Sequence, residues 1–537
     1  MRLRSSRTAR VACAAAVVAL GSTLATASVA APTSYAAPAA APADPGAVDP
    51  GAVDRGAGGT DPDPGTPLEV AQDNLAAAQD LADGTGQAAG ADPTLVLNEL
   101  AQTLDDLPPT QQRQARSLLA RPTDGSNSSD LFSYPASVTV KQDCLTHVCV
   151  HYAASGVHAP PPGDANADGV NDWAHLNAVV MEKVWTDEVS TLGYRHPVAD
   201  HGASRGEGPD TRLDVYLGDI GGDGYYGYAA TDNPNARTGS AYLVLDDDFE
   251  DFPGTPGLLM RVTAAHEFFH VVQFAYDSFE DGWFMEATAT WMEEQVYDSV
   301  NDNRQYVSSS SLRLPMRSLD YPLPAATPYG NWVFFQFLSE KLGREPIHSM
   351  WYRASRSGVY STLAIRRALE AEGTTLPYRF LGFSSSGMFP GRSFSEGSAF
   401  PKAVPSDVWT FGTGKRGTGS RSVRLDHLTG RNYAFWPGSS LTGSWRLKVT
   451  VNGPSGISGA MAIVERKDGT LIRKRVSLSS TGNGTAYVAF SRASVKRVTL
   501  TLVNSSSRFE CGSGQYSCNG SARDQNKLYT WSATAVR

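Results

Sequence analysis

The chain has 537 residues, of which 41% are hydrophobic, and a formal net charge of -9 at pH 7. This length exceeds what a single hydrophobic core normally supports, so two or three domains are expected. The acidic balance argues against nucleic acid and anionic membrane surfaces as partners, because both carry negative charge themselves.

The first 30 residues have the pattern of a secretory signal peptide. Residues 1–10 are basic, and residues 11–30 are apolar and rich in alanine and valine. An uncleaved membrane anchor is the alternative, because the apolar run approaches the length that spans a bilayer. Small and polar residues between Gly21 and Thr26 interrupt the run, which favours a signal peptide. We therefore expect a secreted, extracellular protein with no stable membrane insertion after signal removal.

A linker and a helical region follow the signal peptide. Residues 31–67 consist mainly of alanine, proline, glycine and aspartate, a composition typical of a disordered linker. Apolar residues at helical spacing then occur in residues 68–82 and 95–119. They predict a helical N-terminal region over residues 68–122. A pro-segment is one interpretation of this region, although no residue in it marks a cleavage site.

The cysteines fall into two closely spaced pairs once Cys13 of the signal peptide is set aside. In an exported protein such pairs predict disulfide bonds, here Cys144–Cys149 and Cys511–Cys518. A four-cysteine metal site is the alternative. It is disfavoured because the pairs are distant in sequence and neither has the two-residue spacing of zinc ligands.

Strand patterns precede helical patterns between residues 130 and 394, which indicates an α+β domain. The predicted strands are residues 137–140, 148–152, 213–217 and 241–245. The predicted helices are residues 175–192, 256–276, 284–297, 330–342 and 362–372. From residue 404 to residue 537, short alternating segments separated by polar turns predict an all-β sandwich domain.

An acidic loop at residues 164–172 has the pattern of a calcium site. Ca²⁺ binds six to eight oxygen atoms, and Gly169 permits the sharp turn that gathers them. Position 12 of the loop is His175, where an EF-hand has glutamate, so a shorter extracellular type of calcium loop is predicted. A solvated turn rich in aspartate is the alternative. The oxygen ligands would come from Asp164, Asn166, Asp168, Asp172 and the carbonyl of Val170.

The sequence HEFFH at residues 266–270 is the strongest functional motif, because two histidines four residues apart lie on one face of a helix. Both imidazoles can then bind one Zn²⁺, and Glu267 lies beside the metal as a general base. A zinc site normally needs a third protein ligand. Glu286, on the following helix, is the predicted third ligand. Glu293 and Glu294 are alternatives, but both fall where helix ends usually carry solvated charge.

Histidines in this spacing, followed by a glutamate on the next helix, resemble the gluzincin zinc peptidases. The segments HEFFHVVQFAYD and WFMEATATWMEE are similar in sequence to a group of secreted bacterial metalloproteases related to the hyicolysin-like enzymes. The resemblance covers about residues 138–342. It implies a zincin-like α+β catalytic domain, with zinc bound by His266, His270 and Glu286 and with Glu267 as the base. Thermolysin-like members have an aspartate four residues after the ligand glutamate, where this chain has Thr290.

The sequence therefore predicts a secreted zinc-dependent metalloendopeptidase that acts on protein or peptide substrates. Tyr329 is a candidate donor to the oxyanion, since related peptidases place a tyrosine or histidine downstream. A tyrosine that only caps a core helix is the alternative for that residue. Two other functions stay open, namely a non-catalytic exported binding or adhesion protein and a zinc hydrolase of a non-peptide amide.

Overall fold

The computed structural model describes residues 65–83, 92–124, 131–200, 211–323 and 326–537. All of these residues belong to one compact unit. The predicted signal peptide and nearly all of the predicted linker lie outside the described residues. Among the helices that are described, none is both long and apolar enough to cross a membrane.

The predicted helical N-terminal region is confirmed. It contains α1 (Pro67–Ala82), α2 (Pro93–Gln102) and α3 (Pro109–Leu118). Proline occupies the first turn of each helix, where its missing N–H group has no partner to lose. Asp92 caps α2 by accepting a hydrogen bond from the Leu95 amide at 2.9 Å. The buried faces of these helices pack on one side of the central sheet.

The central sheet has the strand order β1-β2-β3-β5-β4. Its strands are β1 (Val140–Cys144), β2 (Val148–Ala153), β3 (Leu213–Gly218), β4 (Gly227–Thr231) and β5 (Ala241–Asp246). β2, β3 and β5 run parallel, whereas β1 and β4 pair antiparallel at the two edges. β1 begins later than the predicted strand at residues 137–140, because it is the segment 140–144 that pairs with β2. The predicted disulfide Cys144–Cys149 joins the two strands at the end of this pairing.

Helices cover the other face of this sheet and extend away from it. They are α4 (Asp172–Trp185), α5 (Pro256–Phe274), α6 (Gly282–Val296), α7 (Ala326–Gly330), α8 (Trp332–Leu342), α9 (Glu345–Ala354), α10 (Ser361–Ala371) and α11 (Leu376–Ser386). A π-helical turn at Thr186–Thr191 follows α4. α5 packs against α4, α6, β4 and β5, which explains why nearly every residue of its C-terminal half is buried.

The C-terminal region is all β, as predicted. Its strands are β6 (Asp407–Phe411), β7 (Arg421–Leu425), β8 (Thr429–Pro437), β9 (Arg446–Asn452), β10 (Ser458–Arg466), β11 (Leu471–Arg475), β12 (Asn483–Ala489), β13 (Val495–Asn504), β14 (Phe509–Glu510), β15 (Ser521–Ala522) and β16 (Lys527–Val536). Two larger sheets, β11-β10-β13-β8-β6 and β12-β9-β16-β7, share one apolar core. The predicted disulfide Cys511–Cys518 is also formed.

Candidate metal centre

α5 and α6 bring His266, His270 and Glu286 together. One ligand atom of each lies within 4.8 Å of the others, and their side chains are almost completely buried. The Glu286 carboxylate lies between the imidazoles, 3.2 Å from His266 Nε2 and 3.3 Å from His270 Nε2. The histidines are adjacent because one helical turn separates them, and the short segment at residues 275–281 turns the chain back so that α6 faces α5.

Neighbouring side chains fix the orientation of both imidazoles. His266 Nδ1 lies 2.8 Å from Glu293 Oε1, and His270 Nδ1 lies 2.8 Å from Gln273 Oε1. Both oxygens accept, so Nδ1 of each ring donates outward and Nε2 faces Glu286. Gln273 is held in turn by donating to the Met285 carbonyl at 3.0 Å. This arrangement is the one that metal-binding histidines usually have.

Two buried atoms at the centre lack hydrogen-bond partners. His270 Nε2 and Glu286 Oε1 are within ion-pair distance, but their geometry does not make a hydrogen bond. A buried polar atom without a partner costs about 1–3 kcal/mol. A cation bound between the two atoms would remove that cost. Two imidazole nitrogens and one carboxylate oxygen are a donor set that suits Zn²⁺, so the residues present fit this metal.

The charges at the centre are strongly coupled. Burial alone would raise the pKa of Glu286, but the charge of His270 and the hydrogen bond from His266 lower it to about 2. Burial would lower the pKa of His266, yet hydrogen bonds to Glu286 and Glu293 raise it well above 6.5. Burial raises the pKa of Glu293 to about 7. These contacts favour the ionised form of Glu286.

Glu267 points into a cavity of about 650 Å³ that His266 and Tyr329 also line. The side chain is 4% exposed, and burial raises its pKa to about 7. A carboxylate with a pKa near neutrality can both accept and return a proton. Its Oε2 accepts a hydrogen bond from the Thr94 hydroxyl at 3.1 Å.

Tyr329 lies on α7 and also lines this cavity. Its ring stacks on that of His266, with the centroids 5.5 Å apart and the planes at 13°. The hydroxyl donates a hydrogen bond to Asp92 Oδ2. Burial raises the pKa of this hydroxyl well above 10, so it stays protonated and able to donate.

Sequence reasoning missed the residues that orient the histidines. Glu293 and Glu294 were expected at a solvated helix end, but they are only 5% and 3% exposed. Glu293 lies two helical turns after Glu286 and therefore on the same face, which is the signal that could have identified it. Glu294 accepts a hydrogen bond from Asn303 instead. Thr290 bonds the Glu286 carbonyl at 2.9 Å and contacts neither imidazole through a hydrogen bond.

The C-terminal disulfide loop supports the start of α6. Asp281, which precedes that helix, accepts a hydrogen bond from the Cys518 amide at 2.6 Å and another from the Ser361 hydroxyl. The Trp283 indole donates to the Ser517 hydroxyl at 3.3 Å. The loop closed by Cys511–Cys518 thus contacts the helix that carries Glu286.

The acidic loop at residues 164–172 is exposed, and its carboxylates bond the loop's own backbone. Asp164 accepts from the amides of Asp168 and Gly169, both at 3.0 Å. Asp172 accepts from the Ala165 amide at 3.0 Å, and Asp168 accepts from the Val170 amide at 2.9 Å. These carboxylates are not among the residue groups that the described structure brings within metal-binding distance. Calcium binding there stays a prediction.

A second acidic group lies at the C-terminal end of β5. Asp219, Asp246 and Asp247 have ligand atoms within 4.8 Å of one another. The Asp246 carboxylate already accepts hydrogen bonds from the amides of Ile220, Gly221 and Phe249. These bonds explain its position as a support for the loops around it.

Residues 256–385 match a family described only as one of unknown function, DUF6055. No curated protein sequence matches the chain. Among solved structures, the pre-peptidase C-terminal domain of collagenase from Bacillus anthracis is 13% identical, covers 25% of this chain and 100% of its own, and gives a TM-score of 0.15. A periplasmic inhibitor of g-type lysozyme from Escherichia coli is 14% identical, with coverages of 24% and 98% and the same TM-score. These scores are too low to assign a fold.

Proposed function

We propose that this chain is a secreted zinc-dependent metalloendopeptidase with a zincin-like catalytic domain. The observation that carries the proposal is the joint arrangement of His266, His270 and Glu286. Three convergent donors, with both histidines oriented from outside, are difficult to explain as core packing, because buried charge is costly without a cation to hold. Glu267 lines a cavity of about 650 Å³ together with His266.

A zinc ion held by these residues would activate water and polarise the carbonyl oxygen of a substrate. Glu267 accepts the proton of the attacking water, since its carboxylate is adjacent to His266 and borders the cavity. It then donates this proton to the leaving amine, which a group with a pKa near neutrality can do. Glu293 and Gln273 keep the imidazoles in the tautomer that leaves Nε2 free.

Tyr329 is proposed to donate a hydrogen bond to the oxyanion. Its hydroxyl stays protonated, and its ring is fixed against His266. A fixed donor at the position where charge develops contributes roughly 10²–10³ to the rate in other hydrolases. In the observed arrangement this hydroxyl bonds Asp92, so the role requires that contact to open.

Calcium at the acidic loop is proposed as a structural addition. The loop immediately precedes α4, whose N-cap Asn171 accepts from the amides of Trp173 and Ala174. α4 in turn packs against α5. A cation bound at residues 164–172 would therefore stabilise the start of a helix that supports the metal centre.

The test is metal content together with proteolysis. Purified full-length protein should bind one equivalent of zinc. Glu267→Gln should keep the zinc but lower casein hydrolysis by on the order of 10²–10⁴, because it removes the proton acceptor alone. Both forms should be assayed before and after limited trypsin treatment. Glu294→Gln is the matched control, since it changes a buried glutamate outside the cavity. Zinc-free wild-type protein, or full activity in Glu267→Gln, would overturn the proposal.

A further inference from the structure

The N-terminal end of α2 lies inside the cavity of the metal centre. Asp92 and Pro93 line the cavity together with Glu267 and Tyr329. Thr94, the next residue, is completely buried. Its hydroxyl donates to Glu267 Oε2 at 3.1 Å and accepts from the Ala229 amide of the edge strand β4 at 2.9 Å. α2 thus occupies the space between the proposed base and the edge of the sheet, which a substrate would need.

Asp92 contacts the other side of the same site. One carboxylate oxygen accepts from the Leu95 amide, and the other accepts from the Tyr329 hydroxyl. The carboxylate lines the same cavity as His266 and Glu267. Two carboxylates, those of Asp92 and Glu267, therefore line one cavity beside a histidine of the candidate metal centre. Such a group repels itself unless a cation is shared among them.

We propose that Asp92 is an inhibitory ligand of the zinc ion and that the N-terminal helical region, described at residues 66–83 and 92–121, keeps the full-length protein latent. This inference rests on the proposed function. In the described arrangement Asp92 lies outside the group of side chains whose ligand atoms are within 4.8 Å of one another. In the latent form its carboxylate would therefore move from Tyr329 to bind the metal in place of water, while Thr94 holds Glu267. The metal and the base are then both engaged by one helix end.

The N-terminal region is firmly attached beyond these contacts. Asn98 and Gln102 both donate to the Ser278 carbonyl, at 2.7 and 2.8 Å, between α5 and α6. Arg121 is buried and forms ion pairs with Asp214 and with Asp232, the latter at 2.7 Å. Because these contacts lie outside the cavity, a substitution at Asp92 should open the site without detaching the region.

Asp92→Asn in the full-length chain is the decisive variant, because asparagine caps a helix as well as aspartate does but carries no charge. The zinc is replaced by Co²⁺, whose visible absorption reports the ligands directly. We expect an altered cobalt spectrum, a zinc affinity lower by on the order of tenfold or more in chelator competition, and at least about tenfold faster casein hydrolysis. Asp92→Ser is the second variant, since serine is also a good cap.

Two further variants separate the contacts. Thr94→Val removes the hydroxyl that holds Glu267 and should raise hydrolysis while leaving the cobalt spectrum as in wild type. Asp106→Asn removes an exposed carboxylate from the same region and should change neither quantity. Thermal unfolding of every variant shows whether it is folded.

The outcomes distinguish this inference from the proposed function. If Asp92→Asn and Asp92→Ser are folded and match wild type in cobalt spectrum and hydrolysis, while Glu267→Gln is inactive, Asp92 is not a ligand and only the latency inference fails. If no form binds zinc, the proposed function fails and the inference fails with it. An altered spectrum together with faster hydrolysis supports both.

Discussion

The metal centre and the acidic loop at residues 164–172 differ in where their polar groups find partners. At the centre, Glu293 and Gln273 bond the outer nitrogens of the imidazoles, and of the inner atoms His270 Nε2 and Glu286 Oε1 have no hydrogen-bond partner. In the loop, the carboxylates bond the loop's own amides and remain in water. A motif of correct spacing indicates a strong site only when surrounding residues leave its donor atoms free.

The largest expected effect is loss of a ligand. His270→Ala should reduce zinc content to background, because it removes one of three protein donors in a buried site. Asp164→Ala, the matched change in the acidic loop, should leave zinc content at one equivalent. Elemental analysis of both proteins measures this. Zinc retained by His270→Ala would mean that the metal is held elsewhere.

Acidification should release zinc more readily than calcium. Burial lowers the pKa values of His266 and His270, but hydrogen bonds to Glu286 and Glu293 for His266 and the charge of Glu286 for His270 raise both above 6.5. Protons therefore compete with zinc from above pH 6.5, and below the two histidine pKa values the apparent affinity should fall by up to about 100-fold per pH unit. Hydrogen bonds from the Val170 amide and Asn166 lower the pKa of Asp168, so the loop keeps this charge. Equal zinc affinity at pH 5 and pH 7 would contradict the assignment.

The partners of the histidines should affect affinity less than the ligands do. Glu293→Gln should weaken zinc binding by roughly 10–100-fold, because it removes the charged acceptor that orients His266. Glu294→Gln changes the neighbouring buried glutamate, which bonds Asn303, and should leave affinity unchanged. Chelator competition on the two variants measures the difference. Equal losses would show that the effect is general destabilisation.

Calcium should produce a smaller effect on stability. Extracellular loops bind Ca²⁺ with dissociation constants on the order of 10⁻⁴–10⁻³ M. At 10 mM calcium the expected stabilisation is then about 1.4–2.7 kcal/mol. Thermal unfolding with and without calcium measures it, and Asp164→Asn combined with Asp168→Asn should abolish the shift. If the wild-type melting temperature does not respond, the loop is a solvated turn.

The smallest effect is expected at Thr290, the position where thermolysin-like peptidases have an aspartate. Its hydroxyl bonds the carbonyl of its own helix, so Thr290→Ala should change zinc affinity by less than about twofold and stability by about 1 kcal/mol or less. The same chelator competition provides the number. A tenfold loss would mean that Thr290 orients a ligand after all.

The two helices of the centre could be predicted from sequence because proline, glycine and a continuous apolar run mark them. The predicted ranges 256–276 and 284–297 correspond to α5 and α6 within a few residues. β4 was missed because its short run begins with glycine and alternates weakly. The predicted helix at 175–192 starts earlier because Asn171 caps it, and it ends in a π-helical turn.

The contacts across the cavity could not be predicted from sequence. Thr94 and Glu267 are 173 positions apart, and no local pattern links them. Glu293 was assigned to solvent because a charge near a helix end is usually exposed. Only the packing of α6 against α5 buries it next to His266. The two histidines proposed as zinc ligands have a spacing that a helix imposes, whereas their supporting partners depend on tertiary structure.

The loop closed by Cys511–Cys518 supports a helix within residues 256–385 from a distant part of the sequence. The matched family region contains His266, His270 and Glu286, but the amide that bonds Asp281 belongs to Cys518. On the opposite side, α2 supplies the bond to Glu267. The family match at residues 256–385 is therefore shorter than the part of the chain whose contacts hold these helices in place. Expression of the matched region alone would discard both supports of its helices.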